Sequence, residues 1–523
     1  MFARLLRFSP FRTGPLAPLL LALLVLAPPG LTPASRGPVW AAPVAPAPSV
    51  RTVPVSVRMV LDEAVKGNLD LRREGISLRS ARAQVVGALG QFDVLLDSNL
   101  TYAETITPSL NVSDLSGGVS DSVSMDIGVS RLLESGGSVR LALNGNVTDS
   151  TSQFLCGVGN FECRVYGTRL GLTLSHPILR GYGSQIAQAT IERRKIQVNL
   201  ALLNRQARAA LVTRDVLTGY WELSFASREL EIRQSAVELA RQQLEATRAQ
   251  IAVGRLAPID AAAVERAIAD RTREVVGAEQ AVLFRSLDLT RLLGRAAEPT
   301  FDHLVAADAP DITPHPVDVP DELARALANN PQLQSLRKGV ALTELDIKVA
   351  QNTLRPQLDV VGQLGSTGRR AGFFDDALSQ TLNFENVVWS VGLNFQLPVQ
   401  NRAAKGQGAL ARLGNERAWL DAEALEVDLR DSVVRLSSNV EVAARRIQLG
   451  EQVVAFAKQN LEAELARFSV GRATNNDVLL RQQELKVAES QLLRSRVDLL
   501  LFEIALETVT GDVLERYGLV LRN

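Results

Sequence analysis

The chain has 523 residues, and its 57 lysines and arginines balance its 57 aspartates and glutamates, so that the formal net charge is zero. This balance produces no strong overall field and argues against a nucleic acid as partner. The chain holds three histidines and two cysteines, and no two of the histidines (His176, His303, His315) have the spacing of metal ligands on a helix. We therefore expect neither a metal centre nor another cofactor.

The N-terminus has the pattern of an export signal. Arginines precede an apolar run that ends before Pro28, and a small-x-small sequence ends at Ala41. The apolar run is too short to span a bilayer as a helix. Residues 1–41 are therefore interpreted as a cleaved secretory signal, with an uncleaved buried helix as the alternative. Residues 42–52 are rich in proline and alanine and are interpreted as a loose lead-in.

Segments in which apolar and polar residues alternate follow the lead-in. The alternation is clearest in residues 123–129 and 387–397. Such segments suit transmembrane strands whose second face meets water, although a soluble sandwich gives the same pattern. The export signal and the long helices favour an outer-membrane sheet. The candidate strands are residues 94–106, 123–129, 139–147, 166–175, 357–365 and 387–397.

The two cysteines lie between strand-like segments, in the sequence FLCGVGNFECRVYG. In the oxidising compartment that an export signal implies, a local disulfide is favoured over a free redox pair. We expect a structural disulfide between Cys156 and Cys163.

Two long helical segments carry the same seam of apolar side chains. From Leu223 to Ile251 these residues recur at alternating steps of three and four, and the segment from Val440 to Phe468 repeats the steps 217 positions later. Arg233 and Glu464 are polar exceptions in the two seams. A helix of about 69 residues is roughly 100 Å long, which favours a helical tube over a compact bundle.

Shorter helical segments accompany each long one. Their combined length in each half is close to that of one long helix. They are residues 69–91 and 257–293 in the first half, and residues 332–354 and 475–511 in the second.

Both long segments end in the same motif. The first reads IAVGRLAPIDAAAVERAI at residues 251–268, and the second reads FSVGRATNNDVLLRQQEL at residues 468–485. In each, a glycine interrupts the helix and an aspartate follows six positions later. A glycine permits a sharp reversal of the chain at such a point.

The number of strands predicts an oligomer. Six strands are too few to close a membrane barrel, because the smallest have eight and an open edge in lipid leaves backbone groups unpaired. Several chains must therefore contribute to one barrel if the sheet lies in a membrane.

This duplicated order of elements resembles the TolC family of outer-membrane efflux channels over essentially the whole mature chain. The matching segments are AVKGNLDL (64–71) with ALANNPQL (326–333), LTLSHPILRGYG with LNFQLPVQNRAAKG at the junctions of strand and helix, and the two tips. The corresponding parts of the chain are a first repeat at 53–294, a linker at 295–320, a second repeat at 321–511 and a tail at 512–523.

The resemblance implies an α+β membrane protein in which a β-barrel shared between protomers continues into an α-helical coiled-coil tunnel. It further implies a homotrimer in the outer membrane, with its helices in the periplasm. The implied partners are outer-membrane lipid, a periplasmic adaptor protein and an inner-membrane pump of the RND or ABC type. Both efflux of small toxic molecules and type I secretion of proteins use such an outer component.

The resemblance also assigns roles to the tips. Adaptor docking falls on the two tip motifs, where arginine replaces the leucine usual in the family. The alternative is that each motif is only a helix cap, which explains the glycine but not the arginine. The docking residues are Val253, Gly254, Arg255, Val470, Gly471 and Arg472.

The periplasmic entrance is placed at Asp260, Asp477 and Phe468 by the same resemblance. Each aspartate would form a ring in a trimer that favours cations, or would cap the first turn of its helix, and both roles are compatible. Phe468 stands where the family has a latching tyrosine. Leu480 and Ala473 also replace family residues, so we expect a different latch, for example an arginine of a tip paired with one of these aspartates.

Two further alternatives remain open in the sequence. The segment 93–176 holds four candidate strands where the family has two, so the barrel has eighteen strands or the extra hairpin, turning at 134–137, forms an external cap. No nucleophile beside a histidine and no phosphate loop is present, which argues against an enzyme. The main rival is an exported coiled-coil scaffold or adhesin.

Overall fold

The computed structural model describes residues 52–108, 118–151, 163–296, 303–309 and 316–519. The predicted signal segment and Cys156 therefore lie outside the described residues, and the Cys156–Cys163 disulfide stays a prediction. The helices are α1 (Val57–Gly67), α2 (Leu69–Leu89), α3 (Ser184–Ala187), α4 (Ala189–Ala252), α5 (Pro258–Leu292), α6 (Val319–Asn329), α7 (Pro331–Thr353), α8 (Phe374–Leu382), α9 (Arg402–Ser469), α10 (Asn475–Thr510) and α11 (Val513–Arg516). None of these helices is both long and apolar enough to cross a lipid bilayer.

The strands form two sheets. They are β1 (Thr52–Val55), β2 (Leu95–Thr107), β3 (Gly118–Leu132), β4 (Ser138–Ser150), β5 (Cys163–Pro177), β6 (His303–Ala306), β7 (Gln357–Ala371) and β8 (Val387–Gln396). Short β1 and β6 pair in parallel, and the larger sheet has the antiparallel order β2-β3-β4-β5-β7-β8.

The long helices have the predicted extent and seam. Helix α4 has 64 residues and α9 has 68, so each is about 100 Å long. The seam residues Leu223, Ala226, Val237, Ala240 and Thr247 of α4 are buried, as are Val440, Ala443, Ile447, Val454, Ala457, Leu461 and Phe468 of α9. The three-four spacing therefore predicted the packed face of both helices.

The duplication extends to single hydrogen bonds. Asn68 caps α2 by accepting from the backbone N–H groups of Asp70 and Leu71, and its amide donates to the Leu292 carbonyl at 2.8 Å. Asn330 caps α7 in the same way and donates to the Val509 carbonyl at 2.9 Å. In each repeat, one asparagine thus caps a short helix and ties it to the end of the returning helix.

The helices form a row whose neighbours change along its length. Near the sheet the order is α2, α4, α7 and α9, and toward the tips it is α5, α4, α10 and α9. One side of the row therefore ends in α2 and α5, and the other side ends in α9.

The extra hairpin lies within the larger sheet. Strands β3 and β4 pair along their whole length and stand between β2 and β5. The predicted turn at 134–137 joins them, and the Leu133 N–H donates to the Gly137 carbonyl at 2.7 Å. The alternative of an external cap is wrong for this hairpin, because the ladder hydrogen bonds of its strands continue the sheet on both sides.

The start of helix α1 packs near a buried tyrosine of α4. The Tyr220 side chain is fully buried, and its hydroxyl donates to Asp308 Oδ2 at 2.8 Å and accepts from the Asp308 N–H at 3.1 Å. Burial raises the pKa of Tyr220 far above its usual range, so the hydroxyl keeps its proton. Asp308 also accepts from the Val57 N–H at 2.9 Å. The expected linker at 295–320 is thus partly structured, since β6 pairs with β1, which begins at Thr52.

Replacing Tyr220 by phenylalanine is expected to destabilise this cluster by about 1–3 kcal/mol, because the Asp308 N–H then lacks an acceptor. The measurement is the free energy of unfolding of the wild type and the variant in the same detergent. Tyr517→Phe is a suitable control, since the described residues give its hydroxyl no hydrogen bond. Equal loss in both variants would contradict the assigned role of Asp308.

Candidate functional site

One face of the larger sheet is apolar and exposed. Cross-strand partners share a face of the sheet. One row of such partners crosses all six strands, and the neighbouring apolar rows lie on the same side. The row consists of Leu96, Val129, Leu141, Leu172, Leu364 and Trp389. Most of these side chains are exposed. On β3 this face is bounded by Asp121 and Arg131, ten positions apart, which matches the roughly 9–11 residues of a transmembrane strand. The sheet therefore has the dimensions and patterning of a membrane barrel wall.

The opposite face of the sheet is polar and carries ion pairs. Arg140 makes a bidentate ion pair with Asp97 at 2.7 and 2.6 Å, and also donates to Asp126 at 2.9 Å. A charged cluster of this kind is costly in hydrocarbon and suits a water-filled lumen.

Both tips end their long helices with the same backbone motif. The Gly254 N–H donates to the Ile251 carbonyl at 2.9 Å and the Arg255 N–H to the Gln250 carbonyl at 2.9 Å. At the second tip, Gly471 and Arg472 make the matching hydrogen bonds. The glycines have φ of 75° and 78°, and no atom would obstruct a Cβ at either position. The left-handed backbone therefore explains the glycines, and it leaves the repeated arginine side chains unexplained.

Both aspartates cap their returning helices, but Asp477 accepts more hydrogen bonds than Asp260. Asp477 accepts from the Thr474 N–H at 2.9 Å and from the Thr474 hydroxyl at 2.7 Å, while that hydroxyl lies 3.3 Å from the Asp477 N–H. These hydrogen bonds from Thr474 hold the pKa of Asp477 below its usual value of 3.8. Among the described residues, Asp260 accepts from the Ala257 N–H at 3.0 Å and from no side-chain hydroxyl of its cap, because alanine has no hydroxyl to donate. The capping role expected of both aspartates is present in both repeats.

A buried asparagine, which no sequence pattern predicted, joins the two tips. Asn475 is 6% exposed, and its Oδ1 accepts from Gln243 Nε2 at 2.8 Å and from Thr247 Oγ1 at 2.7 Å. Its amide donates to the Asp260 carbonyl at 3.4 Å. These contacts connect the start of α10 to α4 and to the first turn of α5.

Phe468, predicted to lie at the entrance, belongs to the apolar core of the second tip. Its side chain is 3% exposed and packs among Leu461, Val478 and other apolar residues of the second tip. Its carbonyl accepts from Gln250 Nε2 at 3.2 Å. The Phe468 ring thus contributes to the packing that holds the second tip together within the chain.

The expected latch is not formed within one protomer. In the described part of the chain, neither Arg255 nor Arg472 makes an ion pair with Asp260 or Asp477. The side chains of both arginines are exposed. The arginine latch therefore stays a prediction.

A second buried polar contact lies above the tips. Arg271 of α5 is 6% exposed and donates to the Ala236 carbonyl and to Gln482 Oε1, each at 2.8 Å. No ion pair to a carboxylate accompanies it among the described residues, and burial lowers its pKa. The contact links α5 to α10 across α4, as Asn475 does nearer the tips.

Comparison with known proteins agrees with this architecture. A family model described as outer membrane efflux protein matches residues 163–295 and 323–512. Because these residues form more than half of the chain, the protein belongs to the outer membrane efflux protein family. The outer membrane efflux protein BepC of Brucella suis biovar 1 (strain 1330) is 21% identical over 361 residues, which are 67% of this chain and 73% of that protein.

Solved outer-membrane channels share the fold. The Campylobacter jejuni channel CmeC has a TM-score of 0.62 at 14% identity, over 87% of this chain and 86% of that one. The outer membrane protein VceC of Vibrio cholerae has a TM-score of 0.62 at 15% identity, over 87% of this chain and 96% of that one. The resemblance to the TolC family is thus confirmed, and the outer membrane efflux protein family to which the chain belongs is a family of transport proteins rather than of enzymes.

Proposed function

We propose that three copies of this chain form the exit duct of a tripartite efflux or type I secretion system. The duct passes cargo from the periplasm to the exterior without chemistry of its own. The observation that carries the proposal is the six-stranded sheet, whose membrane-facing band ends in two edge strands, β2 and β8, that each have one neighbour. An unpaired edge is costly in hydrocarbon. Pairing β8 of one protomer with β2 of the next removes both edges and gives a barrel of eighteen strands.

The helical row ends in two apolar stripes that suit the same pairing. On α9, Leu413, Leu420, Val427 and Val434 are exposed at steps of seven. On α2, Leu69 and Ile76 are exposed at the same step. Exposed heptads on opposite sides of the row support burial between neighbouring protomers.

The two stripes lie at the same height along the duct. Asp70 of α2 makes an ion pair with Arg208 of α4, and Ser335 of α7 donates to Asn204 of α4 at 2.8 Å. Arg337 of α7 in turn donates to Glu426 of α9 at 2.7 Å. These contacts place Leu69 and Val434 at about the same position along the axis of the duct, and likewise Ile76 and Val427.

Charge supports the same contact. Helix α2 has four arginines against two acidic residues, whereas the segment of α9 from Glu416 to Asp431 has six acidic residues against two arginines. Opposite charges at one height favour α2 of one protomer against α9 of the next.

At the entrance, threefold symmetry turns Asp260 and Asp477 into rings of negative charge. We expect Asp477→Asn to reduce the preference for cations over anions several-fold in a planar bilayer. The folded pKa of Asp477 is depressed, so its charge and its contribution to stability persist above pH 3.8 and are lost only as pH falls through the lower value. The preference that depends on Asp477 should therefore be the same at pH 7 and pH 5. A loss between these two values would contradict the assignment.

The tips offer a surface for a periplasmic adaptor. Val253 is 69% exposed and Val470 is 66% exposed, each beside an exposed arginine. A valine with a neighbouring guanidinium suits a helical hairpin that presents apolar and acidic side chains.

Replacing both Arg255 and Arg472 by alanine is expected to weaken adaptor binding at least tenfold while leaving the trimer intact. Arg266→Ala with Arg273→Ala is the matched control, because these exposed arginines of α5 lie away from the tips and pair weakly with Asp270. The measurement is the dissociation constant for the adaptor from the same gene cluster. Equal loss in both double variants would contradict docking at the tips.

The proposed function is tested by the conductance of the purified protein in a planar bilayer. We expect discrete steps of current that the protein produces without a pump or an energy source. The variant Asn475→Leu removes the hydrogen bonds that join the two tips and should open the entrance. A protein that assembles but conducts no ions even in this variant would instead favour the scaffold or adhesin.

A further inference from the structure

Helix α8 lies against the apolar face of the larger sheet. The Thr168 hydroxyl donates to the Ala377 carbonyl at 2.8 Å and lies 2.6 Å from the Thr381 hydroxyl. A Cβ on Gly368 would lie 1.9 Å from the Ala377 carbonyl oxygen, so this glycine allows the close approach. Since Thr168 and Gly368 are cross-strand partners in the rows of the apolar face, α8 sits on the side that the proposed function assigns to lipid.

A pocket of about 300 Å³ opens between α8 and the sheet. Phe374 and Leu378 form its helix side, and the Phe374 ring meets the Tyr166 ring edge-on, with centroids 6.1 Å apart. The sheet side is mostly apolar and includes Leu100, Met125 and Leu143 of β2, β3 and β4. Its other lining residues include Asn144, Asn146, Tyr166 and Thr168. No charged side chain lines the pocket.

The pocket lies next to a row of charged residues, on the side of that row nearer the helices. The register places Glu104, Asp121, Asp149 and Arg164 in one line across β2 to β5, on the same face as the pocket. The next row toward the helices holds Tyr102, Val123, Val147 and Tyr166, of which the last three line the pocket. Charged side chains mark the level of lipid headgroups, and tyrosines mark the interface. The pocket is therefore at the depth of the first acyl carbons of the leaflet farthest from the helices.

We propose that this pocket binds one acyl chain of a lipid in the outer leaflet. The inference rests on the proposed function, which places the apolar face in the membrane and the helices in the periplasm. An acyl chain fits because the walls are apolar and the opening is on the hydrocarbon side. A headgroup stays outside, at the charged row, since the pocket offers it no charged partner. The bound chain would fasten α8, the connection between β7 and β8, to the barrel wall.

Photolabelling tests the proposal. The protein is reconstituted into vesicles of phosphatidylglycerol that contain a trace of the same lipid with a diazirine in one acyl chain, irradiated and mapped by mass spectrometry. We expect labelling of peptides holding Leu143 and Phe374 to exceed that of lipid-facing β8, at Val391 and Leu393, at least fivefold. Leu143→Trp fills the pocket and should remove this excess. Leu141→Trp, on the same strand and face but outside the pocket, should retain it.

The variants also separate the possible failures. Leu378→Trp fills the pocket from α8 and should give the same loss as Leu143→Trp, which covers the case in which one strand variant does not fold. Equal labelling of the pocket and β8, or excess that survives both pocket-filling variants, overturns the proposal while leaving the membrane placement in force. Absence of label from β8 as well overturns the membrane placement itself, and with it the proposed function.

Discussion

Replacing Val427 by aspartate is expected to leave the protein largely monomeric in mild detergent. Val427 is exposed in the single chain and lies in the middle of the α9 stripe, which we propose is buried against α2 of the next protomer. A carboxylate there would be removed from water without a partner at each of the three contacts, at a cost of several kcal/mol per contact. The measurement is the fraction of trimer by native mass at fixed protein concentration.

A compensating change gives the matched control. In the double variant Ile76→Lys with Val427→Asp, opposite charges face each other at the same height in every contact, and most of the trimer should return. The single variant Ile76→Lys should be as defective as Val427→Asp. A trimer that survives Val427→Asp, or a double variant no better than either single one, would contradict the pairing of α2 with α9.

Asn475→Leu is expected to loosen the tips and raise the resting conductance of the channel. The substitution removes the acceptor shared by Gln243 and Thr247, and leaves the Gln243 amide without a buried partner. Loss of such a partner costs about 1–3 kcal/mol. The donation to the Asp260 carbonyl, which ties the second tip to the first, is lost as well.

Asn476→Leu is the control for this experiment. The two asparagines are adjacent, but Asn476 is exposed and makes no hydrogen bond among those of the described side chains. We expect Asn475→Leu to lower the unfolding midpoint and to increase the resting current several-fold, and Asn476→Leu to do neither. Similar currents for the two variants would show that Asn475 does not hold the entrance.

Much of the helical architecture follows from side-chain spacing. The three-four seam through Leu223 and Val440 predicted which faces of α4 and α9 are buried within the chain, because apolar residues at that spacing fall on one face of a helix. The tip motifs located both reversals, since glycine is the residue that most readily takes the left-handed conformation that ends a helix. Asn68 and Asn330 occupy equivalent positions in the two repeats. In the structure each caps a short helix and donates to a carbonyl at the end of the returning helix.

Other features depend on contacts between distant segments and left no local pattern. In the sequence, Asn475 is one of several polar residues at the second tip. Only the packing of α4 against α10 shows that it is buried. The position of Phe468 in the motif gave no indication that the second tip packs around its ring. The strand β6 in the linker was not predicted, because its four residues are too few to show alternation, and they form a strand by pairing with β1. The position of α8 on the membrane face likewise depends on Gly368, whose lack of a side chain matters only once α8 has packed there.

A channel that three protomers share must have the mass of three chains. The most direct test is the native mass of the full-length mature protein extracted from the outer-membrane fraction in a mild detergent. We predict a mass of three chains, with each unpaired edge of the single sheet paired to its neighbour. A stable monomer under conditions that preserve the fold would contradict the shared barrel and the duct that depends on it.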